Sequence, residues 1–396
     1  MISERTIFII GATAVGKSKL AIDLAKHFSG EIISADSMQV YKTASLMTAK
    51  PTEQEMSQIP HFLVDFLPAS ATSFSVCEYQ KLALAALEEI KSRNKLPVVV
   101  GGTMYYVESI LYDRPFNKPE DPSGLNEDTQ DLYNQLKALD PEYAWKVNPN
   151  NRRRIRNALL YIKETGKLYS QKNPSASIRT PSILIWLTCE KEVLKQRITQ
   201  RINKMLEEGG LQEIYSVLRE AQHNDFTLGV LQSIGYKEFE PLLSQGEEVL
   251  PQCIENLVTA TMQYSKKQVR WIKNRMQPFI EVHEIDTTHV EQWDQIKKQA
   301  IEVVQSANTL EGKIEIPKPQ VFQCEACRVK VEGSAAWEAH LHSKSHLKKT
   351  TPPPQDDSES RHCEKCGRDF KGLKSWEAHL KSRQHRRRSR SRPPQP

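Results

Sequence analysis

The chain has 396 residues, 38% of them hydrophobic, and a formal net charge of +6, which is enough length for two or three domains with a sizeable core. No apolar run approaches the ~20 residues that a bilayer crossing needs, which argues against a membrane partner. The charge is uneven: residues 321–396 hold 8 Lys and 9 Arg against 9 acidic residues, a net of +8, so the first 320 residues sum to about −2.

The first strong element is the apolar run Thr6–Ile10, followed by Gly11-Ala12-Thr13-Ala14-Val15-Gly16-Lys17-Ser18. This matches the glycine-rich phosphate loop. Backbone N–H groups of Gly11, Thr13, Ala14, Val15 and Gly16 are expected around a diphosphate, with Lys17 neutralising charge and the Ser18 hydroxyl available to Mg²⁺. Lys19–Phe28 reads as the amphipathic helix that follows, placing the anion at a helix N-terminus. Most chains with this loop are NTPases or kinases, so the loop alone does not name the reaction.

Four further runs read as short buried strands: 31–36, 62–66, 97–101 and 183–187. Helical patterns separate several of them, notably Ser75–Arg93. Such alternation predicts an α/β fold built on a parallel sheet, with ligands at the carboxyl ends of the strands. The sequence between Leu111 and Pro181 turns polar and helical, from the Pro/Asp-rich 115–121 through 128–139 to a basic helix over 151–165. It is read as a helical insertion at the active-site edge. Helices over 190–208, 211–223 and 254–276 follow the last strand.

Asp36 closes the second strand run beside the phosphate loop, where a carboxylate could hold Mg²⁺, act as a general base or cap the next turn. Its neighbours Ser37, Met38 and Gln39 favour a substrate role, since they offer hydrogen-bonding side chains suited to the edges of a base. Asp65 is balanced between a metal carboxylate and a structural role. The run Arg152-Arg153-Arg154 with Arg156 reads either as a solvated face or as a phosphate contact. Arg197 and Arg201 lie one helical turn apart, where pairing with Glu190 or Glu208 is the plainer role. Tyr105 and Tyr106 are read as packing residues.

The basic C-terminal part carries an internal repeat. Cys324, Cys327, His340 and His346 recur as Cys363, Cys366, His379 and His385, offset by 39 residues throughout. Two Cys and two His complete tetrahedral Zn²⁺ coordination, and each unit is too small to fold without its metal. Trp337, Leu341, Trp376 and Leu380 are read as the miniature cores of the two fingers. The remaining cysteines, Cys77, Cys189 and Cys253, are isolated, which points to a reducing compartment and no disulfide framework. No cleavable or Arg/Ser-rich leader is evident, so a cytoplasmic location is expected, with nuclear and mitochondrial pools left open. Arg386–Arg392 holds five arginines in seven residues and reads as a phosphate contact or a nuclear signal.

The motifs GATAVGKS, EIISADSMQVYK, HFLVDF with SFSVCEYQ, PVVVGGTMYY, RRRIRNAL with ETGK, RITQRINKMLEEGG, SIGYKEF and ATMQYSKKQVRW occur in that order over residues 5–276. Together they resemble the tRNA dimethylallyltransferase family, with Ala14-Val15 where that family more often has Ala-Ser. The resemblance implies transfer of a dimethylallyl group from dimethylallyl diphosphate to the exocyclic amine of the adenosine 3′ of a tRNA anticodon. It further implies that Thr13–Ser18 hold the diphosphate, Asp36 accepts the amine proton, Thr103 contacts the substrates and Arg201 is a second cation, with Arg197 left open. Asp36–Gln39 would line the tRNA side, and Arg153, Arg154, Ile155, Arg156 and Asn157 would grip the anticodon stem-loop. Eukaryotic members often carry one long-gap finger suited to RNA, whereas this chain has two.

The expected architecture is thus a P-loop α/β core with a helical insertion domain and C-terminal C2H2 zinc fingers. The core occupies 1–113 and 181–310, the insertion 114–180, the fingers 311–349 and 361–387, the linker 350–360 and the basic tail 388–396. The expected state is a monomer. Two other readings share these features: a prenyltransferase acting on free AMP, ADP or ATP, and an RNA-binding zinc-finger protein with a P-loop NTPase domain.

Overall fold

The computed structural model describes residues 4–113, 128–171, 176–220, 225–314, 321–327, 329–350, 360–382 and 385. The stretch 115–121, linker residues 351–359 and the tail 388–396 lie outside them. The chain forms two compact units, Met1–Pro317 and Lys318–Pro396.

The first unit is built on a six-stranded parallel sheet. Its strands are β1 (Thr6–Gly11), β2 (Gly30–Ser34), β3 (His61–Phe62), β4 (Leu96–Val100), β5 (Ser182–Thr188) and β6 (His283–Asp286), in the order β3-β2-β4-β1-β5-β6. β1 is central because nearly every residue in it is apolar and can be covered on both faces. Ile7 and Ile9 enter one core and Phe8 and Ile10 the other, as the two-residue period of a strand requires. Ile9 pairs with Val100 on one side and Ile185 on the other, which aligns the carboxyl ends of β4, β1 and β5.

Helices cover both faces of the sheet, and two more, over Thr129–Leu139 and Arg152–Thr165, form the insertion. They are α1 (Lys17–His27), α2 (Val76–Ser92), α3 (Met104–Leu111), α4 (Thr129–Leu139), α5 (Arg152–Thr165), α6 (Lys191–Met205), α7 (Leu211–Glu220), α8 (Leu250–Arg275) and α9 (Trp293–Ser306), with shorter turns between them. α2 opens with a capping box in which Ser75 and Glu78 satisfy each other's backbone N–H groups. α4 and α5 share a separate small core of Leu132, Leu136, Ala144, Val147, Ile155, Ala158 and Leu159. The buried Asp140 carboxylate completes it by accepting the N–H groups of Tyr143 at 3.0 Å and Ser170 at 2.7 Å.

Two elements differ from the sequence reading. The run 62–66 is not a strand beyond Phe62, because Leu63 and Asp65 take left-handed backbone angles (φ 63° and 61°) and turn the chain back onto Gln39 and Val40. The Asp65 carboxylate there pairs with Lys50 at 2.6 Å, the structural role of the two considered. The sheet also continues past 276, since β6 pairs with β5 and α9 packs on the core around β1.

Each finger in the second unit has an antiparallel hairpin followed by a helix, and the first finger adds a short helix over Lys344–Thr350. In the first finger Phe322 stacks on Trp337 with ring centroids 5.3 Å apart, and in the second Phe370 stacks on His379 at 4.1 Å. The phenylalanines of the hairpins therefore supply as much of the miniature core as the tryptophans. Leu380 remains 39% exposed and contributes less than expected.

Candidate active site

The phosphate loop leaves the end of β1 through Gly11 (φ 147°), where a Cβ would lie 2.5 Å from the carbonyl oxygen of Leu187. Ala14 holds a left-handed conformation (φ 64°), a strain of about 1–3 kcal/mol that surrounding contacts must sustain. Two of those contacts come from the region beyond β6. Thr287 Oγ1 donates to the Val15 carbonyl at 2.9 Å, and the Trp293 ring packs so close to Gly16 that a Cβ there would sit 3.0 Å from it. Trp293 is itself fixed by its Nε1–H donating to Asp23 at 2.7 Å and by the Lys19 ammonium 4.2 Å above its ring.

Lys17 folds back to donate to the Ala12 carbonyl at 2.6 Å. Desolvation lowers its pKa to about 8, an effect opposed by the Asp36 carboxylate and increased by the Arg201 guanidinium. Arg201 is also shifted down by burial and supported by Asp36. Its Nη1 reaches Thr13 Oγ1 at 3.5 Å, which places the guanidinium beside the loop. Two cations held in a low-dielectric setting beside a helix N-terminus make a strong anion site.

Opposite this cradle, Asp36 follows β2 and accepts the Met38 N–H at 3.0 Å, so its carboxylate braces the next turn while facing the cleft. The Ser37 N–H donates to Thr103 Oγ1 at 3.0 Å, and the Thr103 hydroxyl donates to Ser37 Oγ at 3.2 Å. Gln39 accepts from Ser34 Oγ at 2.9 Å and donates to the carbonyls of Thr48 and Ala49 at 3.3 and 3.0 Å. Glu213 on α7 fixes the same loop by accepting the N–H groups of Leu46 and Met47 at 2.8 and 2.9 Å.

One cleft of about 1030 Å³ joins the two halves. Thr13, Ala14, Gly16, Lys17 and Ser18 line it together with Asp36, Ser37, Met38, Gln39 and Arg201. Gly11 and Val15 shape the loop from behind, with Val15 1% exposed, and Thr103 acts through Ser37. Arg197, one turn before Arg201, instead donates to the carbonyls of Thr287 and Thr288 at 2.6 and 2.8 Å and so ties α6 to the loop after β6. Of the basic helix, Arg153, Arg154 and Asn157 are exposed, and Arg156 is half-buried with its Nε unpaired. Ile155 is fully buried in the core of the insertion, which removes its side chain from any contact with a partner. Among the described residues none from 128–171 lines the cleft; its far wall comes from 232–234 and from α8, including Tyr264 and Lys267. The sequence reading passed over these α8 residues because helical periodicity alone does not say which face meets the cleft. Tyr106 is buried and stacks on Tyr79 at 3.8 Å, as a packing residue should, whereas Tyr105 is 45% exposed.

In each finger the four expected ligand atoms lie within 4.8 Å of one another. Cys324 Sγ and Cys327 Sγ are 3.4 and 3.5 Å from His346 Nδ1, and His340 Nε2 is buried without a hydrogen-bond partner. A buried imidazole nitrogen beside two thiols is the donor set of a structural Zn²⁺ site. The second set repeats it, with Cys363 and Cys366 each 3.5 Å from His385 Nδ1 and His379 Nε2 at 3.1 Å from the same nitrogen.

A phosphate loop whose cleft is shared with a carboxylate and an adjoining run of hydrogen-bonding side chains defines a P-loop enzyme that joins an anionic donor to a second substrate. Residues 39–275 match the model of the IPP transferase family, and residues 322–346 and 361–385 match the C2H2-type zinc finger. Similar proteins include the tRNA dimethylallyltransferases of Saccharomyces cerevisiae, 34% identical over 88% of this chain and 93% of that one, and of Mus musculus, 32% identical over 86% and 85%. A solved structure described as a eukaryotic dimethylallyltransferase acting on tRNA superposes with a TM-score of 0.69 at 31% identity, covering 98% of this chain and 96% of the other. The chain belongs to the IPP transferase family.

Proposed function

We propose that this enzyme is a tRNA dimethylallyltransferase, moving the dimethylallyl group of dimethylallyl diphosphate to the exocyclic amine of the adenosine 3′ of the anticodon and releasing diphosphate. The observation that carries this reading is the single cleft in which the diphosphate cradle and the segment Asp36–Gln39 face each other.

In this reaction the allylic C–O bond breaks, the amine nitrogen forms the new C–N bond and its proton passes to Asp36. Charge accumulates on the departing diphosphate, so Lys17, Arg201 and the loop's backbone N–H groups, apart from that of Thr13, which donates to Gln268 Oε1 instead of to the anion as the sequence suggested, stabilise the transition state more than the ground state. Ser18, at the first turn of α1 and in the cleft wall, is the residue suited to hold Mg²⁺. The ion would supply further neutralisation of the diphosphate. An exocyclic amine is a weak nucleophile, so orientation by Ser37 and Gln39, with Thr103 bracing Ser37, matters as much as the base. The adenine must leave its stack to reach Asp36. The exposed Arg153, Arg154 and Asn157 then offer contacts to the anticodon stem-loop, and the fingers further contacts to the RNA. As proposed, the enzyme is a monomer in the cytoplasm, with nuclear and mitochondrial pools left open.

Labelled dimethylallyl diphosphate offered with unmodified tRNA or with AMP tests the reading. Label is expected in tRNA; none in tRNA refutes the proposal, and label in AMP makes the free nucleotide the acceptor. A pH profile adds a second check. Lys17 is protonated below about 8 and neutral above it, and the protonated form attracts the anion. The KM for dimethylallyl diphosphate is therefore expected to climb toward roughly tenfold per pH unit above that value, while Lys17→Met shows a high KM without the climb. A flat profile in the unsubstituted enzyme would mean that the charge on Lys17 does not hold the donor.

A further inference from the structure

Gln268 on α8 is 4% exposed, and neither composition nor motif assigns it a task. Its Oε1 accepts the Thr13 N–H at 3.0 Å, and its Nε2 donates to the Gly102 carbonyl at 3.0 Å. One turn earlier on the same helix face, Tyr264 donates to that carbonyl at 3.4 Å. The fit is close enough that a Cβ on Gly102 would lie 2.2 Å from Gln268 Nε2, so a side chain there would push the amide out of place. Thr103, the next residue, holds Ser37, and Ser37 adjoins Asp36. The amide therefore bridges the two halves of the cleft: the phosphate loop at one end and, through Gly102, Thr103 and Ser37, the carboxylate at the other.

We propose that Gln268 is a positioning residue that sets the spacing between the diphosphate cradle and the proton-accepting side of the cleft. The inference rests on the transferase reading above. Bond formation requires the reacting atoms about 3–3.5 Å apart, and a misplacement of ~1 Å costs on the order of 100-fold in rate. Spacing has a second consequence in this chemistry. When the amine is out of place, water reacts at the allylic carbon: the C–O bond to diphosphate breaks, a C–O bond to water forms, and the water proton goes to solvent. The products are dimethylallyl alcohol and diphosphate.

Gln268→Met keeps the volume and removes both hydrogen bonds. Gln268→Glu keeps an acceptor for Thr13 and loses the donor to Gly102. With dimethylallyl diphosphate and unmodified tRNA, the methionine variant is expected to lose roughly 100-fold in kcat with each KM within a few-fold, and to raise the ratio of alcohol to modified tRNA. The glutamate variant should fall between the two. Wild-type kcat and product ratio in the methionine variant would overturn the inference. So would a loss of kcat matched by a fall in melting temperature and no alcohol, since that is a structural role alone. If the methionine variant does not fold, the product ratio of the glutamate variant decides. Failure of the unsubstituted enzyme to transfer label refutes the transferase reading itself, a result separate from any of these.

Discussion

Asp36→Asn is expected to lower dimethylallyl transfer by ~10²–10⁴-fold while leaving tRNA affinity within a few-fold, because it removes the proton acceptor and little else. The asparagine oxygen can still accept the Met38 N–H that Asp36 now accepts at 3.0 Å, so the turn beside the cleft is kept. Asp36→Ala loses that bond as well and is expected to abolish transfer. Both variants have a second, separable effect. Asp36 raises the pKa of Lys17 against the larger effect of burial, so removing its charge moves Lys17 further below its value of about 8. Binding of dimethylallyl diphosphate in the variants should therefore weaken near that pH and recover on acidification, whereas the chemical step does not recover. Single-turnover transfer and tRNA binding, each measured on both sides of that pH, separate the two effects. Loss of tRNA binding together with transfer would make Asp36 a recognition residue and not the base.

Stripping zinc is expected to unfold both fingers and leave the melting transition of the first unit in place. Structural zinc binding in isolated fingers amounts to ~10–16 kcal/mol, far more than a short hairpin, one helix and a stacked ring pair can replace. The three hydrophobic cores of the first unit contain none of the described finger residues, so nothing in those cores is lost with the metal. Cys324→Ser and Cys363→Ser each remove a buried ligand and should each leave one bound zinc ion where the unsubstituted protein holds two. Metal content by mass spectrometry in native buffer, with tryptophan fluorescence of Trp337 and Trp376, reads the outcome. Retention of both zincs in either variant would contradict the ligand sets, and collapse of the first unit on chelation would contradict its independence.

What the sequence determines alone is whatever local spacing encodes. The phosphate loop is legible because Gly11, Gly16, Lys17 and Ser18 act within a single turn, and β1 before it is one unbroken apolar run. The zinc sites are legible for the same reason, since the two cysteines and the two histidines of each site lie only a few residues apart in the chain. Asp36 is legible from its place at the end of a strand run beside the phosphate loop, whereas the roles of Thr103 and Arg201 came from motif resemblance; Asp36 and Arg201 line the cleft, and Thr103 reaches it through Ser37. What the tertiary structure decides is the partner of each side chain on a regular element. Arg197 and Arg201 share a helix face in the sequence, yet in the fold one meets the backbone carbonyls of Thr287 and Thr288 and the other meets Thr13. Ile155 sits among tRNA-facing candidates by sequence position, yet the helical period turns it into the core of the insertion. Trp293 and Gln268 brace a loop some 250 or more residues earlier in the chain, and no local pattern carries a contact of that range. The strand expected at 62–66 fails for a related reason: left-handed angles at Leu63 and Asp65 turn the chain so that the N–H groups of Asp65, Phe66 and Leu67 donate to the Gln39 and Val40 carbonyls, partners that exist only once the loop after Asp36 is in place.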